Sequence, residues 1–78
     1  MPEAFVLIAT EAGSEADVLK DLRRVEGVEE VFAVSGVYDI VVRLKADTVD
    51  QLNQIIRMRI HKLYNVRSTL TMFVAEEK

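Results

Sequence analysis

Residues Ala4 to Ala9 read AFVLIA, an unbroken apolar run rich in strand formers. Successive side chains of a β-strand point to opposite faces, so this segment is apolar on both. It belongs in the middle of a sheet, with cover on either side. A chain of 78 residues has little material to supply that cover. It also has no cysteine. Disulfides and thiolate metal sites, two usual supports of a small domain, are therefore excluded. The remaining support is burial against another copy of the chain.

The rest of the chain supplies two helices and three more strands. Thr10 to Gly13 form the exit loop of the first strand. Ser14 is placed to cap the next helix, with Asp17 in a weaker, aspartate form of the capping box. Val18, Leu22 and Val25 recur at helical spacing, and Gly27 is the natural stop. Val28 to Val34 and Val37 to Leu44 read as strands joined through Ser35-Gly36, a hairpin. Thr48 and Gln51 have capping-box spacing, and Asp47 with Asp50 is a rival cap. Val49, Leu52, Ile55, Ile56, Ile60 and Leu63 form the apolar stripe of the second helix, which broadens toward Met58. Asn65 suits a left-handed exit. Val66 to Ala75 is the last strand, and Glu76, Glu77 and Lys78 read as a solvated tail.

The order β-α-β-β-α-β predicts an α+β fold of ferredoxin-like type. It is a four-stranded antiparallel sheet in the order 4-1-3-2, with both helices on one face. Residues 1–78 form one domain. Two helices cover one face only. Val37 and Val41 lie opposite the main apolar row of the third strand, and Phe73 opposite Leu70 and Met72 of the fourth. Such an uncovered apolar face points to a face-to-face homodimer.

Lys and Arg number 10 against 13 Asp and Glu, a formal net charge of −3. That balance argues against direct nucleic-acid binding. No run is long enough to span a membrane, and the start lacks a secretory signal. A cytoplasmic location follows as the expectation. No catalytic triad, phosphate loop or carboxylate pair stands out, so no enzyme, cofactor or metal is expected, the alternatives being a structural oligomerisation module without ligand and a small enzyme on the same ferredoxin-like sheet. His61 is a lone imidazole near a helix end, a weak metal signal. Arg57, Arg59, Lys62 and Arg67 read as solvated or intersubunit cations.

The stretch Val34-Ser35-Gly36-Val37-Tyr38-Asp39-Ile40-Val41-Val42 resembles the signature of the effector-binding domain of the Lrp/AsnC (leucine-responsive, asparagine-type) regulators. The run from Ile60 to Thr71, IHKLYNVRSTLT, is similar to the same domain's last helix-to-strand passage. The resemblance covers essentially the whole chain, except that Asn65 stands where the family commonly has glycine. It implies a stand-alone form, without the DNA-binding helix-turn-helix of full-length members. It further implies a dimeric α/β barrel made of two facing sheets, with dimers gathered into an octamer or decamer ring. The implied ligand is an amino acid or related metabolite in clefts between dimers. Co-assembly with full-length regulators would be the route to transcription regulation.

The resemblance places ligand contacts on Ser35, Gly36, Val37, Tyr38 and Asp39, and on Thr69 and Thr71. From the residues alone, Gly36 either brings backbone amides against a carboxylate or only makes the turn. Asp39 either meets an ammonium group or caps local amides. The two threonines share a strand face, where they line a cleft or pack across strands. Glu11 is a further polar wall or a solvated loop acid.

Overall fold

The computed structural model describes residues 1–75. In chain order its elements are β1 (Glu3–Thr10), α1 (Glu15–Leu22), β2 (Val28–Ala33), β3 (Ile40–Lys45), α2 (Val49–Ile55) and β4 (Val66–Phe73). A π-helical turn over Ile56–Ile60 continues α2. The expected tail at residues 76–78 lies outside the described residues. The sheet order is β2-β3-β1-β4 with every pairing antiparallel. This is the predicted ferredoxin-like order, with β1 inside the sheet.

Register separates the two faces. Val6 lies opposite Val42 of β3 and Thr71 of β4, and Val42 lies opposite Val31 of β2. Ala4, Val6 and Ile8 are buried with Ile40, Val42 and Leu44. They join Val18 and Leu22 of α1, and Leu52, Ile56 and Ile60, in one core. Burying each such Val, Leu or Ile contributes about 1.5–3 kcal/mol. The other face carries Phe5 and Leu7 of β1, Val41 of β3, Phe32 of β2, and Leu70 and Met72 of β4. Phe32, Leu70 and Met72 are nearly half exposed. The same face ends in charge. Arg43 donates to Glu3 Oε1 at 2.7 Å and to Glu30 Oε1 at 2.6 Å. These two bonds, that to Glu3 first, raise the already high pKa of the guanidinium.

Several expectations are corrected. The sheet is open, with β2 and β4 as its two edges, so no α/β barrel is formed. Four strands with helices packed on one face leave those edges apart. On β4 it is Thr69, Thr71 and Phe73 that share the helix-covered face, while Leu70 and Met72 lie on the uncovered one. Pairing with Ile8, Val6 and Ala4 dictates this, and hydropathy does not reveal it. β3 starts at Ile40, leaving Val37 in a loop, 88% exposed. Ser14 precedes α1 but its side chain caps no amide.

The helices end for visible reasons. In α1, Arg24 N–H donates to Asp21 and Val25 N–H to Leu22, i to i−3 bonds that tighten the last turn. Gly27 then takes φ +96°. A Cβ there would lie 2.8 Å from Ile55 Cδ1 and 3.1 Å from the Lys45 carbonyl oxygen. At the start of α2, Thr48 Oγ1 accepts from the Gln51 amide at 3.1 Å, and Gln51 Oε1 accepts from the Asp47 amide at 3.0 Å. The box expected at Thr48 and Gln51 forms, with its return bond one residue earlier. The π turn is closed by His61 N–H donating to the Ile56 carbonyl at 2.9 Å. Among the described residues no helix is long and apolar enough to cross a membrane.

These contacts rank two substitutions. Gly27→Ala meets both a left-handed backbone and a crowded Cβ site, and should cost roughly 1–3 kcal/mol. Thr48→Ala removes one cap bond and should cost about 1 kcal/mol. Urea unfolding of the two variants should place the Gly27→Ala midpoint below that of Thr48→Ala.

Candidate functional site

At one end of the sheet β2 and β3 are joined through residues 34–39. The link is longer than the expected Ser35-Gly36 turn. Val34 N–H donates to the Asp39 carbonyl at 2.8 Å and closes it into a loop. Val34, Ser35, Gly36 and Val37 are exposed, and Tyr38 and Asp39 are half-buried. Gly36 has φ +154°, a backbone that L side chains rarely adopt, and open space where a Cβ would be. Backbone groups at the loop tip are therefore accessible.

Asp39 ties this loop to β1. Its amide donates to the Ile8 carbonyl at 2.9 Å. Its carboxylate Oδ2 accepts from the Thr10 amide at 2.8 Å and from Thr10 Oγ1 at 3.2 Å. The β1–β3 ladder stops at the pair Ile8 and Ile40. Thr10 thus has no ladder partner on β3, and the carboxylate takes the amide that the ladder leaves. Of the two residue-level readings of Asp39, the amide-capping one is observed. Its other oxygen, Oδ1, accepts nothing among the described residues, and no cation there pairs with it.

Thr69 and Thr71 lie on the far side of β1 from this loop, on edge strand β4. Both are half-buried on the helix-covered face, Thr69 opposite Ile8 and Thr71 opposite Val6. The chain thus brings Ser35, Gly36, Val37, Tyr38 and Asp39 together, and Thr69 and Thr71 together. β1 stands between the two groups, and no hydrogen bond joins them among the described residues. Next to Thr10, Glu11 is exposed, and its amide donates to the Asn65 carbonyl at 2.9 Å. Asn65 is left-handed, φ +68°, as expected of its place after the helix.

Thr10 escaped the sequence reading. It ends an otherwise apolar strand and is only 3% exposed in the structure, which the sequence does not announce. His61, Arg57, Arg59, Lys62 and Arg67 are all exposed. Among the described residues no group of three His, Asp or Glu is placed to hold a metal ion. An open groove of about 430 Å³, lined by Gly27, Lys45, Asp47, Gln51, Gln54 and Arg59 among others, contains none of the seven expected residues.

Comparison with known proteins places this arrangement. Residues 3–78 match the model of the Lrp/AsnC ligand binding domain. The HTH-type transcriptional regulator FL11 of Pyrococcus abyssi is 35% identical over 71 residues, 91% of this chain and 46% of the regulator. Homocitrate synthase of Saccharolobus solfataricus is 43% identical over 60 residues, 77% of this chain and 13% of the enzyme. The chain thus spans less than half of either curated relative. Among solved structures, a hypothetical protein from Pyrococcus horikoshii superposes with a TM-score of 0.90 at 36% identity, covering 99% of this chain and 93% of that one. A transcriptional regulator from Neisseria meningitidis, solved as an L-Met complex, has the same fold. Its TM-score is 0.86 at 17% identity, over 97% of this chain and 51% of that one. With the loop signature, the sheet order and a family match over nearly its whole length, the chain belongs to the Lrp/AsnC ligand binding domain family.

Proposed function

We propose that residues 1–78 form a regulatory domain that binds a free amino acid or a related metabolite at the 34–39 loop. The half-buried Asp39 carboxylate carries this reading. One of its oxygens is engaged and the other accepts nothing, with no cation beside it among the described residues. A buried or half-buried charge is stabilised by a partner of opposite sign, and an α-ammonium group supplies one. The exposed backbone around Gly36 offers amides to the carboxylate of the same ligand. The L-Met complex of the Neisseria regulator supports the ligand class.

The second half of the proposal is assembly. The uncovered sheet face, which carries Phe5, Leu7, Val41, Leu70 and Met72, is matched best by the same face of a second copy. Dimers then gather into a ring of eight or ten chains, for which the family resemblance is the support. In such a ring Thr69 and Thr71 complete a cleft from a neighbouring chain. The module works in the cytoplasm and modulates DNA-binding regulators of its family by co-assembly, without touching nucleic acid itself. The match to FL11 supports that partnership. The match to homocitrate synthase supports a parallel reading, in which the same module regulates a metabolic enzyme.

Thermal-shift measurements with the twenty L-amino acids should give a saturable stabilisation by at least one, since a ligand that binds only the folded state raises its stability. Calorimetry with that amino acid should show Asp39→Asn weakened about tenfold or more, the scale of a hydrogen bond to a charged group. Gly36→Ala should weaken binding by straining the loop backbone, and the same strain should lower the unfolding midpoint. No stabilisation by any amino acid would refute the ligand class.

Light scattering at micromolar concentration should report a mass well above one chain. Leu70→Glu sets a charge on the uncovered face and should reduce that mass, with the far-ultraviolet circular dichroism retained. A wild-type protein that stays monomeric would refute the assembly.

A further inference from the structure

We propose that Thr10 is a positioning residue of the ligand site, and that its two hydrogen bonds to Asp39 make the site selective for ligands with a free α-ammonium group. The inference rests on the amino-acid reading of the 34–39 loop and adds to it a residue and a discrimination.

Thr10 is 3% exposed, so it cannot offer much surface to a ligand. What it offers is two donors on one acceptor. Its amide and its hydroxyl both reach Asp39 Oδ2, at 2.8 and 3.2 Å. A carboxylate has two oxygens and about four lone-pair sites. With both Thr10 donors on Oδ2, Oδ1 is left to act as acceptor for a ligand. Without them the carboxylate is free to rotate about its Cβ–Cγ bond, and neither oxygen is held.

The tie is built into the backbone. The β1–β4 register shifts between Ala9 and Thr10, and the β1–β3 ladder has already ended at Ile8. Thr10 still pairs with Val66 of β4, but its amide finds no partner on β3 and is given to a side chain. The adjacent Glu11 amide holds the Asn65 carbonyl. Two consecutive residues of β1's exit thus pin the β2–β3 loop on one side and the turn into β4 on the other. An ordered acceptor of this kind loses little freedom when a donor binds it.

The ligand feature it selects follows from the acceptor. An ionised carboxylate accepts hydrogen bonds and makes none of its own. An α-ammonium group brings three donors and a positive charge, while an N-acetylated amine brings one donor and no charge. Asp39 has no other cation among the described residues, so an uncharged amide leaves its charge unbalanced.

Two changes separate positioning from packing. Thr10→Val keeps shape and amide but removes the hydroxyl, and Thr10→Ser keeps the hydroxyl with less bulk. Calorimetric titrations would use the free L-amino acid that stabilises the wild type most, among the twenty tested, and its N-acetyl derivative. The wild type should bind the free form and not the acetylated one. Thr10→Val should bind the free form about tenfold more weakly, and Thr10→Ser should recover most of the loss. In the ligand-free protein, hydrogen exchange of the residue-10 amide should be slow in the wild type and fast in a folded Asp39→Ala variant. Equal affinity of Thr10→Val and wild type, failure of Thr10→Ser to rescue, or equal binding of the acetylated ligand would overturn the proposal. A wild type that binds no amino acid would instead sink the functional reading on which it stands.

Discussion

The fold depends on β1 being apolar on both faces. A strand of this kind cannot sit at an edge, where half of it would meet water. Hydrogen bonding to β3 on one side and β4 on the other places it inside. Ala4, Val6 and Ile8 then receive α1, α2 and the π turn. Phe5 and Leu7 are only half-buried, on the face that no helix covers. The same strand thus defines a finished core and an unfinished surface, back to back. Its far end, past the last β3 pair but still paired with Val66 of β4, also supplies the amide that steadies Asp39. The core, the uncovered face and the tie to Asp39 thus all draw on one eight-residue segment.

How much of this was legible in the sequence differs by element. Strand β1, the stripe Val18, Leu22 and Val25, and the box at Thr48 and Gln51 could be read because each is a local pattern. Periodicity and capping depend on neighbours a few residues away. The faces of β4 could not be read in this way. Thr69 and Thr71 alternate with Leu70 and Met72, and either set would pass for the inward one. Long-range pairing with β1 decides, and it turns the threonines toward the helices. The start of β3 was misplaced for a related reason. Val37 and Tyr38 have the residue types of a strand, but Asp39 spends its side chain on Thr10 and the ladder ends at Ile40.

The candidate site was partly legible. The loop from Ser35 to Asp39 stood out through its glycine, its acid and its resemblance to a family signature. Thr10 did not, because a lone threonine at a strand end has no pattern to announce it. Its importance comes from a break in two ladders at once, a three-dimensional event. The barrel expected from the resemblance is a case of the opposite kind. It described an assembly, whereas one chain has an open sheet with two free edges.

The π turn at Ile56–Ile60 has a consequence for how such a chain can vary. A π turn carries one residue more than an α-helical turn along the same axis. Here that surplus is housed between buried Ile56 and buried Ile60, with Arg57, Met58 and Arg59 exposed around it. Losing one exposed residue from this turn would relax it to ordinary α-helix and leave Asn65 and β4 where they are. The same loss inside β4 would slip the strand by one position and exchange its two faces. Thr69 and Thr71 would then face the open side, and Leu70 and Met72 the helices. The π turn is thus a place where one residue can be lost without slipping the sheet, whose register tells one face from the other.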